Sequence, residues 1–163
     1  TDVINCNKPI LSWLQPLLAT YGIEIVAVAD NDTIPGSFFG EREAGLIGNK
    51  LYLRHDTPVH SALHEASHYI CMDPQRRRQL DTNAEGDYDE ENSVCFLQVL
   101  LAGLVGKLGR ARMLRDMDRW GYTFRLGSAK AWFEQDADDA RDWLLHYGII
   151  DQALQPTGQL RQR

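Results

Sequence analysis

Cysteine is scarce in this chain. Cys6, Cys71 and Cys95 are odd in number, widely spaced and free of any Cys-x-x-Cys pair. That spacing argues against a disulfide framework and for a reducing, cytoplasmic setting. Long apolar runs are missing, as is a basic stretch leading into an apolar one, so neither a membrane span nor a secretory signal is expected. Positive charge is in deficit: 17 Lys and Arg against 23 Asp and Glu leave a net charge of −6. A general nucleic-acid binder would show the opposite balance. No repeat or low-complexity segment divides the chain. Its 163 residues, 44% of them hydrophobic, suffice for one domain with a sizeable core.

Against that background one pattern stands out, His64-Glu65-Ala66-Ser67-His68. On a helix, residues four apart share a face, so an HExxH run presents two imidazoles one turn apart with a carboxylate interleaved. The two His can ligate a divalent metal while Glu65 stays free to take a proton from water. The local context predicts a helix. Asp56-Thr57-Pro58 offers capping side chains and a first-turn proline, Val59, Ala62, Leu63, Ala66, Tyr69 and Ile70 recur at helical spacing, and Asp73-Pro74 supplies a stop.

A hydrolytic zinc site takes three protein ligands and keeps a position open. Beyond the basic run Arg76-Arg77-Arg78 lies an acidic segment, Asp81 to Asn92, that passes into the helical Ser93 to Leu101. Glu91 is the expected third ligand, because it shares a helix face with Cys95 and Gln98 while Val94, Leu97, Leu101 and Leu104 pack elsewhere. Glu90 is the runner-up, and Asp89 and Asp87 remain open. Acids in a first helical turn also favour the helix dipole without binding anything.

Elsewhere, Pro9 to Leu18 has helical spacing that Pro16 should kink or divide, and Tyr21-Gly22 ends it. Ile23 to Val28 reads as a buried strand. Ala44 to Ile47 and Lys50 to Arg54 form a hairpin around Gly48-Asn49. Past Gly106-Lys107-Leu108-Gly109, Arg110 to Trp120 is an amphipathic helix closed by Gly121, two of its four arginines having Asp116 and Asp118 nearby for a self-paired surface. Ser128 caps a helix from Ala129, and Asp136 to Ala140 leads into another. The expected class is α+β: a three-stranded sheet with an N-terminal helix, the HExxH helix, a Glu-bearing helix and C-terminal helices. Residues 1–163 form a single domain, 1–108 the minimal catalytic core, 109–154 a helical C-terminal part and 155–163 a polar tail expected to fray.

With these residues in this order, the chain resembles the zincins of the glutamate-third-ligand branch, in the layout of the small IrrE/ImmA-type metallopeptidase domains. The resemblance spans roughly residues 8 to 108 and rests on the motif and the element order, since Glu91-Asn92-Ser93 departs from the family's Glu-Ala-Asn. It implies a zincin-like fold, zinc at His64, His68 and Glu91, and a peptide substrate pairing with a cleft-edge strand, for which Lys50 to Arg54 is the candidate. Ser61-Ala62-Leu63-His64-Glu65-Ala66-Ser67-His68 is also similar to a run in the elongation factor P hydroxylase family, which implies Fe2+ and oxidation on the same ligands.

The expected activity is a zinc metallopeptidase acting on a protein or peptide, with Glu65 as general base. The alternatives are a non-haem iron hydroxylase, and a non-catalytic module whose metal shell is closed by Cys71, Cys95 or His60. Tyr69, Tyr88, Tyr122 and His146 are candidate oxyanion donors, and His60, one turn before His64, a candidate accessory ligand or ligand-orienting contact.

Overall fold

A computed structural model describes residues 2–37, 40–80, 84 and 86–163. Asp81, Thr82, Asn83 and Glu85 of the acidic segment lie outside the described residues. The architecture is α+β. In chain order the elements are α1 (Lys8–Ala19), β1 (Glu24–Ala27), β2 (Gly45–Ile47), β3 (Lys50–Leu53), α2 (Val59–Cys71), α3 (Pro74–Arg78), α4 (Tyr88–Ala102), α5 (Gly109–Trp120), α6 (Ala129–Gln135) and α7 (Asp138–His146).

The N-terminal helix is capped by Asn7, whose Oδ1 accepts from Ile10 N at 3.1 Å. It runs through Pro16 undivided. Ser12 and Pro16 both face solvent, where water can satisfy the carbonyl that proline leaves unbonded. The hairpin forms as expected around Gly48, which takes the left-handed φ of 59°.

Sheet order corrects two expectations. The order is β1-β3-β2, with β1 parallel and β2 antiparallel to β3. The Lys50 strand is therefore the centre of the sheet, bonded on both sides, and cannot accept a substrate strand. Its Leu51 and Leu53 are fully buried, whereas β1 is an edge strand with only Ile25 and Val26 half covered. The outer edge of β2 is partly closed as well, since Ser37 bridges Gly45.

The core lies where α2 and α4 pack side by side. Leu63, Ala66 and Ile70 of α2 and Val94, Leu97 and Leu101 of α4 are inaccessible to solvent. Each such Leu or Ile contributes about 1.5–3 kcal/mol by leaving water. The start of α2 differs from expectation: Pro58 is the cap position and no side chain caps it. Thr57 Oγ1 instead accepts from Arg54 N at 2.9 Å, and Asp56 pairs with Arg54. By contrast Asp73 caps the short helix that the arginine run forms, and Asp87 caps α4 by accepting from Glu90 N at 2.9 Å. Gly121 ends α5 at φ 104°.

Residues 155–163 make hydrogen bonds to the rest of the fold. Thr157 N bonds Ile149 O at 3.0 Å and Arg161 N bonds Ile70 O at 2.9 Å, which lays the tail against the end of α2. Among the described residues no helix is long and apolar enough to cross a membrane.

Candidate metal centre

Because α2 and α4 pack along their lengths, the polar stripe of one meets that of the other at a single level. There His64 Nε2 lies 3.1 Å from Glu91 Oε1, His68 Nε2 lies 3.3 Å from Glu91 Oε2, and the two imidazole nitrogens are 3.2 Å apart. A tetrahedral shell with bonds of about 2.0–2.1 Å has ligand–ligand edges of about 3.3–3.4 Å. Glu91 meets the two imidazoles through different oxygens, and the residues fall into two groups that could hold a metal, His64 with Glu65 and His68 and His64 with Glu91 and Cys95. Glu65 completes the His-Glu-x-x-His cluster without bonding to either imidazole in its place.

Protonation sharpens the point. The Gln98 amide nitrogen donates to the His60 carbonyl at 3.0 Å, which turns its oxygen to His64 Nδ1 at 2.9 Å. Nδ1 must then carry a proton, and neutral His64 turns an Nε2 lone pair toward Glu91 and His68. Either the Nε2–H of His68, whose buried Nδ1 has no hydrogen-bond partner among the described residues, or a shared cation fills that convergence. With a proton there, burial works against the charged His64 imidazole, but Tyr122, Cys95 and Glu91 outweigh it and raise its pKa well above the ordinary value. Burial likewise works against the Glu91 carboxylate, and the hydrogen bonds from His64 and His68 more than offset it, holding it far below the usual range. Metal ligation uses the same deprotonated donors, so binding an ion would displace that proton.

Glu65 is outside this pairing. Burial raises its pKa, with His68 and His64 opposing and Glu91 and Glu43 adding to the rise. A carboxyl moved toward neutrality is suited to taking and returning a proton.

The other acids separate cleanly. Glu90, one residue before Glu91, points the opposite way and is buried, its oxygens 2.6 and 2.8 Å from Arg76 Nη2 and one of them 3.1 Å from Arg161 Nη1. It is spent on guanidinium groups and is not available as a ligand. Asp87 is the α4 cap and Asp89 is exposed.

Of the remaining candidates, Tyr122 joins the site. Its hydroxyl is 3.4 Å from Gln98 Nε2 and 3.3 Å from His60 Nδ1, and burial pushes its pKa up to about 12. His60 thus contacts the site through Tyr122 and Gln98, and burial, then the His64 and Arg42 charges, lower its pKa to about 3. Cys95 offers its sulfur within 4.8 Å of His64 and Glu91 donor atoms. Cys71 is buried elsewhere, beside Glu90 and Arg161. Tyr69 stacks with Arg77, Tyr88 is 79% exposed and His146 contacts Arg163.

A cleft of about 340 Å³ opens on this cluster, walled by Glu43, Ala44, His60, Trp120 and Tyr122 beside His64, Glu65 and Glu91. Glu43 and Trp120 carry no motif signal. Trp120 ends an amphipathic helix and Glu43 sits in a loop, joined by an indole N–H to carboxylate bond of 2.9 Å across 77 positions.

Comparison with family models, curated proteins and solved structures finds no match to this chain.

Proposed function

We propose that the protein is a zinc-dependent hydrolase of peptide bonds, in which His64, His68 and Glu91 hold the ion and Glu65 is the general base. The observation that carries the reading is the convergence of three metal-type donors at 3.1–3.3 Å, beside an acid outside the set, at a cleft. The order of hairpin, HExxH helix and packed Glu-bearing helix supports a glutamate-ligand zincin of IrrE/ImmA-like layout.

When bound, zinc would polarise the carbonyl under attack and lower the pKa of a water molecule toward neutrality. Glu65 takes the proton from the attacking water and passes it to the leaving amine, a role its burial-raised pKa favours. Gln98 holds His64 in the tautomer that leaves Nε2 unprotonated. Tyr122, kept protonated by its high pKa, lines the cleft with its hydroxyl in reach of Gln98 and serves to steady the substrate oxygen.

Elemental analysis of protein purified without chelators or a His tag, with a His64→Ala control, tests the metal. Near-stoichiometric zinc that disappears in the control supports the reading. Iron, with Fe(II)-dependent oxygen consumption, would replace hydrolysis by hydroxylation on the same ligands, and absence of any metal would overturn both. Glu65→Gln should keep its zinc and lose turnover by at least about 100-fold. Full turnover in that variant would remove Glu65 from the mechanism.

A further inference from the structure

We infer that the cleft beside the metal-type cluster takes a primary ammonium group, a lysine side chain or a free amino terminus, with Glu43 as its charge partner and Trp120, Tyr122 and His60 as its walls. The inference deepens the hydrolase reading and rests on it for placing the scissile bond next to that group.

Charge is the first argument. The cleft is lined by the carboxylates of Glu43, Glu65 and Glu91 and by the imidazoles of His60 and His64, with no Lys or Arg among the lining residues. A divalent ion at the cluster offsets two of three carboxylate charges, so the space still disfavours an anion. The nearest cation, Arg42, lies over the Trp120 ring at 5.0 Å and donates to the Asp56 carbonyl at 3.3 Å, and it does not line the cleft.

Glu43 supplies the partner. It lies outside the ligand triad, and its partner among the described residues is the Trp120 indole N–H at 2.9 Å, which fixes the carboxylate at the wall without neutralising it. A carboxylate so held recognises an ammonium by a charge-assisted hydrogen bond, while the Trp120 ring itself is covered by Arg42 at 5.0 Å and by the His60 ring at 4.9 Å.

His60 is the independent observation. It is 2% exposed, and its Nε2 is buried with no hydrogen-bond partner among the described residues, although the ring lines the cleft. Its Nδ1 is engaged with the Tyr122 hydroxyl. An unbonded buried N–H is costlier than an unbonded lone pair, so the proton belongs on Nδ1 and Nε2 is left as an acceptor lacking a donor. Glu43 and His60 are thus acceptor-bearing residues lining one cleft, and a group with several N–H donors and a positive charge complements that lining.

Metal-free, 15N-labelled protein provides a test that does not depend on the hydrolase reading. The Trp120 indole N–H signal, assigned with Trp120→Phe, is followed during titration with three probes of similar size. Nα-acetyl-lysine methylamide carries only a side-chain ammonium, norleucine amide only an α-ammonium, and Nα-acetyl-norleucine methylamide neither. At least one charged probe should bind tenfold or more tightly than the neutral one, and which of the two does so identifies lysine side chain or amino terminus. Glu43→Gln keeps an acceptor for the indole and should erase the preference while leaving the neutral probe's affinity unchanged. Equal binding of all three probes to the wild type, no binding by any, or a preference that survives Glu43→Gln would overturn the inference. Absence of any metal from the wild-type protein in the elemental analysis would overturn the hydrolase reading and leave this result standing.

Discussion

Glu90 and Glu91 are adjacent on α4 and live in opposite environments. Glu90 is buried with two guanidinium groups, from α3 and the C-terminal tail, which occupy both of its oxygens. Glu91 faces two imidazoles and a cleft, and its charge is balanced by a proton or metal that can exchange. Successive helix positions are rotated by about 100°, so one step along the chain moves a carboxylate from a structural network to a chemical one. The difference between them is set by the partner: Arg stays charged at all working pH values, whereas His does not.

The largest expected effect breaks the structural side. Glu90→Gln leaves the largely covered Arg161 facing a neutral amide, while Arg76 is 38% exposed and keeps Asp73, and should lower the stability of metal-free protein by about 3 kcal/mol, read as a drop in the urea midpoint at unchanged slope. Glu91→Gln should cost no more than about 1 kcal/mol in the same measurement and abolish metal retention. The reverse ranking would mean that the roles have been exchanged.

Arg161→Met should come next. It removes the tail's contribution to Glu90 and its stacking on Tyr147 at 4.1 Å, and should destabilise by about 1.5–3 kcal/mol in thermal melts. No change would show that the docked tail is energetically idle.

On the chemical side, Gln98→Leu removes the amide that fixes the His64 tautomer. Zinc affinity measured by chelator competition should fall by about 10–100-fold with the fold retained. Unchanged affinity would leave Gln98 as packing only.

The smallest effect concerns pH. The folded-state pKa of His60, about 3, lies below the ordinary 6.5, so the unfolded chain binds the extra proton between those values. The stability at stake is fully present above about pH 6.5 and is lost as pH falls toward 3. Between pH 6.5 and 5 the metal-free protein should lose about 1–2 kcal/mol on this account, and His60→Asn should flatten that slope in urea titrations at the two pH values.

Much of the site was legible because it is local. His64 and His68 share a face through the helical repeat alone, and the phase of Val94, Leu97 and Leu101 against the core turns Glu91 toward that face. The same logic failed for the caps of α2. Asp56 and Thr57 are suitable side chains, but Arg54 claims both of them first. It failed again for β3, since the hairpin is readable from Gly48-Asn49 but the arrival of β1 alongside Lys50 to Leu53 is not. The tail looked frayed because it is polar, and it is held by polar bonds: Arg161 to Glu90 spans 71 positions.

What the amino-acid order determined by itself is therefore the set of repeats and turns that follow from covalent geometry: an HExxH face, an acid-led second helix, a tight hairpin, and glycine-closed helix ends. Only the tertiary structure decided which glutamate meets imidazole and which meets arginine, that β3 is interior, and that Glu43 and Trp120 wall the cleft. Local features follow from dihedral preferences within a few residues, whereas those assignments depend on which distant side chain reaches a buried polar atom first. That competition is settled by packing.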